Sequence, residues 1–144
     1  VAAIAAVAAL AIGLWAAGLS SDLDETRAAL ERERAAAAVL ADPESRSVSL
    51  QPGGDGRLVV TPEGRAVLVV DDLGPAPDGK TYEMWVVSHG GTPQRAGLFP
   101  GEDGRDVVPV DGTVEAGQVV LVTVEDQGGV DAPTSEPILG TMPV

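Results

Sequence analysis

Cysteine is absent from all 144 residues, which excludes a disulfide framework, a Cys-based zinc site and thiol redox chemistry. Bases are scarce: one Lys and eight Arg face 22 acidic residues, for a formal net charge of −13. Such a chain has no clustered cations with which to hold DNA or RNA phosphates, and nothing that draws it to an anionic lipid surface. Histidine occurs once, at His89, so any Ser-His-Asp triad has to be built on it. Aromatic residues make up 3% of the chain, against 18 Gly and 11 Pro. That balance points to many turns around a core of Val, Leu and Ala. The length allows one ordinary globular domain and an appendage. Abundant Ala, Gly and Val, with Arg over Lys, suits a GC-rich genome.

The charge is segregated. Residues 1–19, VAAIAAVAALAIGLWAAGL, carry none. Residues 21–45 hold seven acids and three bases, and residues 46–144 hold fifteen acids and six bases. Nineteen helical residues reach ~28 Å, close to the hydrocarbon thickness of a bilayer. Residues 1–20 are therefore read as a transmembrane helix, with Trp15 near its end as an interfacial anchor. A buried core helix is the bland alternative, but the remaining chain is short for surrounding an apolar cylinder. A cleaved signal peptide is the sharper one, since Ala16-Ala17-Gly18 resembles a small-residue cleavage site. The flank after the span has no base before Arg27, which assigns that side to the exterior.

Residues 21–45 read as a helical stalk or linker. Ala, Leu, Glu and Arg dominate residues 22–41, and Asp24–Arg27 and Glu31–Arg34 are i,i+3 pairs. Leu23, Leu30 and Ala37 recur every seven residues, enough for at most a weak homodimer through the stalk. A solvated spacer helix is the plainer reading. Asp42-Pro43 ends the helix, because a residue before Pro is disfavoured in the α region.

From Arg46 onward short β segments alternate with turn signals. Strands are predicted at Arg46–Gln51, Arg57–Thr61, Arg65–Val70, Lys80–Ser88, Gln94–Phe99, Asp106–Val110 and Val119–Glu125, with a short one near Ile138. Pro62-Glu63-Gly64 between two Val-rich runs signals a hairpin. The spacing predicts a mainly β fold, an antiparallel, Ig-like β-sandwich over residues 46–144. Val48 and Leu50 alternate with polar neighbours, as in an outer, half-exposed strand. The continuous runs at Val67–Val70 and Val119–Val122 fit central strands covered on both faces. Trp85 is the expected packing centre of the core.

No catalytic constellation emerges. Ser88-His89 has no nucleophile-elbow pattern around it and reads as an exposed loop. Asp71-Asp72 and Glu102-Asp103-Gly104-Arg105-Asp106 read as solvated acidic turns, without the pattern of a calcium loop. The Gly-rich loops lack the Lys-Ser/Thr of a phosphate-binding loop. No catalytic residue, cofactor or metal site is expected, and the chain does not read as an enzyme.

One stretch carries more information. Leu73-Gly74-Pro75-Ala76-Pro77-Asp78-Gly79, followed by Lys80-Thr81-Tyr82-Glu83-Met84-Trp85, runs Leu, a Pro-containing loop, Gly-Lys, then Tyr-x-x-Trp. Pro93 and Ala96-Gly97-Leu98-Phe99 follow. Then come Thr123-Val124-Glu125, Gly128-Gly129 and Pro133-Thr134. In this order the motifs resemble the C-terminal, extracytoplasmic domain of the anti-sigma-K factor (RskA) family over roughly residues 66–140. Asp126 stands where the family often has Pro.

The resemblance implies a membrane-anchored anti-sigma factor. In that family a cytoplasmic N-terminal domain, not contained in this sequence, sequesters an extracytoplasmic-function sigma factor. The outer domain senses a signal or gates proteolysis. A site-1 type protease cuts outside the membrane, a site-2 type protease cuts within it, and sigma is released. Tyr82, Trp85, Pro93, Gly97, Thr123, Glu125, Gly128, Gly129, Pro133 and Thr134 are expected as structural motif residues. The protease-sensitive segment is expected at Ala41-Asp42-Pro43-Glu44-Ser45, extended and cleavable, with the first cut within residues 38–48. The implied location is the plasma membrane, single-pass, with the N-terminus cytoplasmic and residues 46–144 outside. The alternative is a membrane-anchored β-sandwich binding module of the cell envelope, without a sigma partner.

Overall fold

A computed structural model describes residues 23–52 and 55–144. The apolar run at residues 1–20 lies outside the described residues. Among the described residues no helix is long and apolar enough to cross a membrane. The chain divides into two compact units, Val1–Arg34 and Ala35–Val144.

A helix, α1, covers residues 23–41. In the first unit its described side chains are exposed apart from a half-buried Ala28, and Arg27 pairs with Asp24 at 3.6 Å. Its last turns, from Ala35 on, belong to the second unit. There Ala36 and Val39 are buried, so this end of the helix is not the solvated spacer that its composition suggests.

Eight strands follow: β1 (Arg46–Gln51), β2 (Gly56–Val60), β3 (Ala66–Asp71), β4 (Lys80–Val87), β5 (Gln94–Phe99), β6 (Arg105–Pro109), β7 (Val119–Asp126) and β8 (Leu139–Thr141). Their boundaries fall within a residue or so of the turn signals, since Gly and Pro interrupt the β pattern wherever pairing stops. The Thr61–Arg65 connection closes the β2–β3 hairpin through Thr61 N–H to the Arg65 carbonyl and Gly64 N–H to the Thr61 carbonyl, both 2.9 Å. Gly64 sits at φ 82°, and a Cβ there would lie 2.9 Å from the Val114 carbonyl oxygen. Only glycine meets both demands.

The strands are not split into two separate sheets. They form one antiparallel sheet in the order β5-β4-β7-β8-β1-β2-β3-β6, curled so that it nearly closes into a barrel. The Asp111 N–H, just past β6, donates to the Ala96 carbonyl of β5 at 2.8 Å and bridges the two ends. This corrects the Ig-like sandwich. The joint between the two halves is β1, which pairs with β2 over Arg46–Ser49 and with β8 through Leu50 and Gln51. β1 is therefore paired on both sides instead of lying at an edge.

The interior is aliphatic. Leu58, Leu68, Met84, Val120 and Val122 are fully enclosed, and Tyr82 stacks at a tilt on its cross-strand neighbour Phe99 with ring centroids 5.3 Å apart. Trp85 is fully buried but is not among these core residues. On β4 the inward residues are Tyr82, Met84 and Val86, so the alternation of a strand turns Trp85 to the outer face. The core centre is thus shared among Leu, Met and Val, and Trp85 anchors something else.

Candidate functional site

The outer face of β4 and β7 is covered by the segment that follows β7. The register sets Thr81 opposite Glu125, Glu83 opposite Thr123 and Trp85 opposite Leu121. A sheet face with two carboxylates and an indole would ordinarily lie in water. Here Glu83, Trp85, Thr123 and Glu125 are all fully buried. Each polar group is satisfied, as burial requires.

Glu125 is the most heavily bonded. Its Oε1 accepts from the Thr134 N–H at 3.0 Å and the Ser135 N–H at 3.4 Å. Its Oε2 accepts a short bond from the Thr134 hydroxyl. The Thr123 hydroxyl accepts from the Trp85 indole N–H at 2.9 Å and helps to favour the charged form of Glu125. Indole, hydroxyl and carboxylate thus share the outer face of β4 and β7. Burial pushes the Glu125 carboxyl up, but the bonds from Thr134, Thr123 and Ser135 outweigh it and hold the group below the usual carboxylate range. Ser135 adds two bonds to β7: its hydroxyl donates to the Val124 carbonyl at 3.0 Å and accepts from the Val124 N–H at 3.2 Å.

Glu83 holds the other end of the strap. Its Oε1 accepts from Arg95 Nε at 2.8 Å and its Oε2 from the Val130 N–H at 2.9 Å. Arg95 is half exposed while Glu83 is enclosed, so the guanidinium neutralises the buried charge from the rim. The strap leaves β7 through a turn in which Gly129 N–H bonds the Asp126 carbonyl at 2.9 Å, with Gly128 at φ 100° and Gly129 at φ 79°. A Cβ on Gly129 would lie 2.5 Å from Arg95 Nη2 and 3.1 Å from Glu83 Oε1. The two glycines let the strap cross the Glu83–Arg95 pair closely.

Of the ten motif residues, Trp85, Thr123, Glu125, Gly128, Gly129 and Thr134 thus belong to one latch, and Pro133 is the half-buried residue before Thr134. Tyr82 lies in the core. Gly97 sits at φ 130° beside a β-bulge, where β4 and β5 shift register between Met84 and Trp85. Pro93 immediately precedes β5, a position that requires no donor. Two members of the latch, Glu83 and Arg95, are not among the motif residues. The available signal is that Glu83 is the one charge in the buried stretch Thr81–Val86, and such a charge needs a partner.

Asp71, at the end of β3, pairs with Arg105 at 2.6 Å, and Ser88 and His89 are exposed. The Ser88 hydroxyl accepts from the Gln118 amide at 3.0 Å. Among the described residues no three His, Cys, Asp or Glu side chains converge in a way that could hold a metal ion. The segment Ala41–Ser45 is not extended. It forms a hydrogen-bonded turn, with Ser45 N–H on the Asp42 carbonyl at 3.1 Å and Glu44 N–H on Asp42 Oδ1 at 2.9 Å. Asp42 caps the turn that Pro43 begins, as Asx turns do.

The chain matches the family model described as anti-sigma-K factor RskA, C-terminal, over residues 1–138. It is 32% identical over 140 residues to an uncharacterized protein in the phr 5′ region of Streptomyces griseus, covering 94% of this chain and 58% of that one. It is 33% identical over 148 residues to the anti-sigma-K factor RskA of Mycobacterium sp. (strain KMS), covering 98% and 57% respectively. The RskA of strain JLS gives the same figures. The chain therefore spans a little over half the length of the curated relatives that it matches. No solved structure matches it at a comparable level.

Proposed function

The chain belongs to the anti-sigma-K factor RskA C-terminal family, and from that premise we propose that it is the membrane and extracytoplasmic part of an anti-sigma factor. That family is regulatory rather than catalytic. In this reading residues 1–20 cross the plasma membrane once. The N-terminal side faces the cytoplasm, where a sigma-binding region sequesters an extracytoplasmic-function sigma factor. The domain from Arg46 onward lies outside. It gates proteolysis of the segment that joins it to the membrane, and successive outer and intramembrane cuts release sigma.

The observation that carries the proposal is the family match over residues 1–138, apolar run included. The geometry is compatible with it. A nearly closed barrel with a latched outer face is a compact folded body, and segments leading into such bodies are where proteases act.

Truncation of the gene after Ser45 in the host tests the gating role. The shortened protein should be degraded without inducer, and transcription from the sigma-dependent promoters should rise to its induced level. Transcription that stays low and still responds to the inducer would contradict the proposal.

A further inference from the structure

The outer face of β2 and β3 is covered by the chain's own approach to the domain. Val59 on β2 and Val67 and Val69 on β3 form an apolar cluster with Ala36 and Val39 of α1, separate from the main core. All five are nearly inaccessible to solvent. Directly after this contact the backbone is tied down. The Val39 carbonyl accepts from the Asp42 N–H at 3.4 Å and from the Ser45 hydroxyl at 2.9 Å. The Asp42 carbonyl and carboxylate take the N–H groups of Ser45 and Glu44, and at Arg46 the chain enters β1, paired with Val60 of β2.

Ala41, at the end of α1, Pro43 and Glu44 show their side chains to water, and Asp42 and Ser45 are half-buried. The backbone is nevertheless tied at Asp42, Glu44 and Ser45, and paired strand follows. A protease that reads an extended strand needs free backbone donors and acceptors on both sides of the scissile peptide. Exposure alone does not supply them. The segment becomes a substrate only when it opens, and the contact that must separate is the seat of Ala36 and Val39.

We infer that the docking of Ala36 and Val39 on Val59, Val67 and Val69 is the gate: while it is seated residues 38–48 resist the outer protease, and its release presents them. This inference rests on the proteolytic-release reading proposed above. Because the cluster is small and distinct from the main core, it can open locally while the barrel stays folded. Cutting then follows the population of the open form.

The test uses the full-length protein in host membranes, with fragments followed by blot and their new N-termini sequenced. Val39→Asp puts a charge into the apolar seat and should raise uninduced cleavage at least on the order of tenfold, with the cut inside residues 38–48. Val69→Thr weakens the same contact from the sheet side, nearly isosterically, and should raise cleavage in the same segment to a smaller extent. Ala37→Asp, on an exposed position of the same helical turn, should leave the rate unchanged. Hydrogen exchange on β4 and β7 should be alike in all four proteins, which separates local release from loss of the domain. If wild-type protein is cut on induction but Val39→Asp and Val69→Thr are cut at the wild-type rate, the gate is wrong and the proteolytic reading stands. If sigma is released while wild-type protein stays intact, the proteolytic reading falls and the gate falls with it.

Discussion

Replacing Glu125 by alanine is expected to destabilise the domain by about 3 kcal/mol, because it strips the acceptor from several donors at once. The Thr134 and Ser135 N–H groups and the Thr134 hydroxyl all converge on this carboxylate. Without it those groups are unpaired under the strap, or the strap leaves the sheet. Glu125→Gln is the informative companion. An amide oxygen can still accept both N–H groups, and the amide nitrogen can donate to the Thr134 hydroxyl, so the loss should be only about 1 kcal/mol. The two variants also differ from wild type in acid. The folded-state pKa of Glu125 is lowered, so its contribution is fully present above the unfolded carboxylate value and is lost as the pH falls from there through the folded value. Between about pH 5 and pH 3 wild type should therefore lose more stability than Glu125→Gln. Urea denaturation across that range measures both effects. A Glu125→Ala variant as stable as wild type would mean that the strap is not held by this carboxylate.

Trp85→Ala should cost more, about 4 kcal/mol, since it removes a fully buried indole from the outer face of β4. Trp85→Phe separates the two parts of that loss. It keeps most of the apolar volume but leaves the Thr123 hydroxyl without the indole donor, and should cost about 1–2 kcal/mol. Because Trp85 and Glu125 are joined through Thr123, the double variant Trp85→Phe with Glu125→Gln should be less destabilised than the sum of the two singles. A strictly additive result would mean that the two residues have no energetic coupling. Set against a typical domain stability of about 5–15 kcal/mol, losses of the size expected for the alanine variants bring a domain of this kind close to unfolding. A variant that unfolds would remove the gate altogether and should behave in the host like the truncation after Ser45.

The strands were legible because their ends are punctuated. Pro62-Glu63-Gly64 needs a glycine at positive φ, and Gly74 through Gly79 cannot continue a ladder, so β2, β3 and β4 are bounded by chemistry that is local to the chain. Closure of the sheet was not legible. It depends on β1 meeting β8, Leu50 with Thr141, a pairing between positions far apart in sequence that leaves no periodic trace. The same holds for the side on which Trp85 lies. A half-buried strand alternates, and its parity tells inside from outside. In β4, Thr81 through Val86 are all buried, because the core covers one face and the strap the other. With both faces covered the alternation disappears, and an indole reads as core by default. The docking of α1 was hidden for a related reason. Ala36 and Val39 lie in an Ala-rich helix with no strong apolar stripe, and their partners Val67 and Val69 are the outward half of a run whose two faces look alike.

The most direct measurement is to recover the native protein from its host with an antibody against residues 46–144 and determine its intact mass and the proteins that accompany it. The account predicts a membrane protein longer than this chain by on the order of a hundred residues, in line with relatives of which this chain spans a little over half. It also predicts a sigma factor in the complex, lost after induction. A native protein that binds no sigma factor before or after induction would contradict the account and leave an anchored envelope-binding module as the better description.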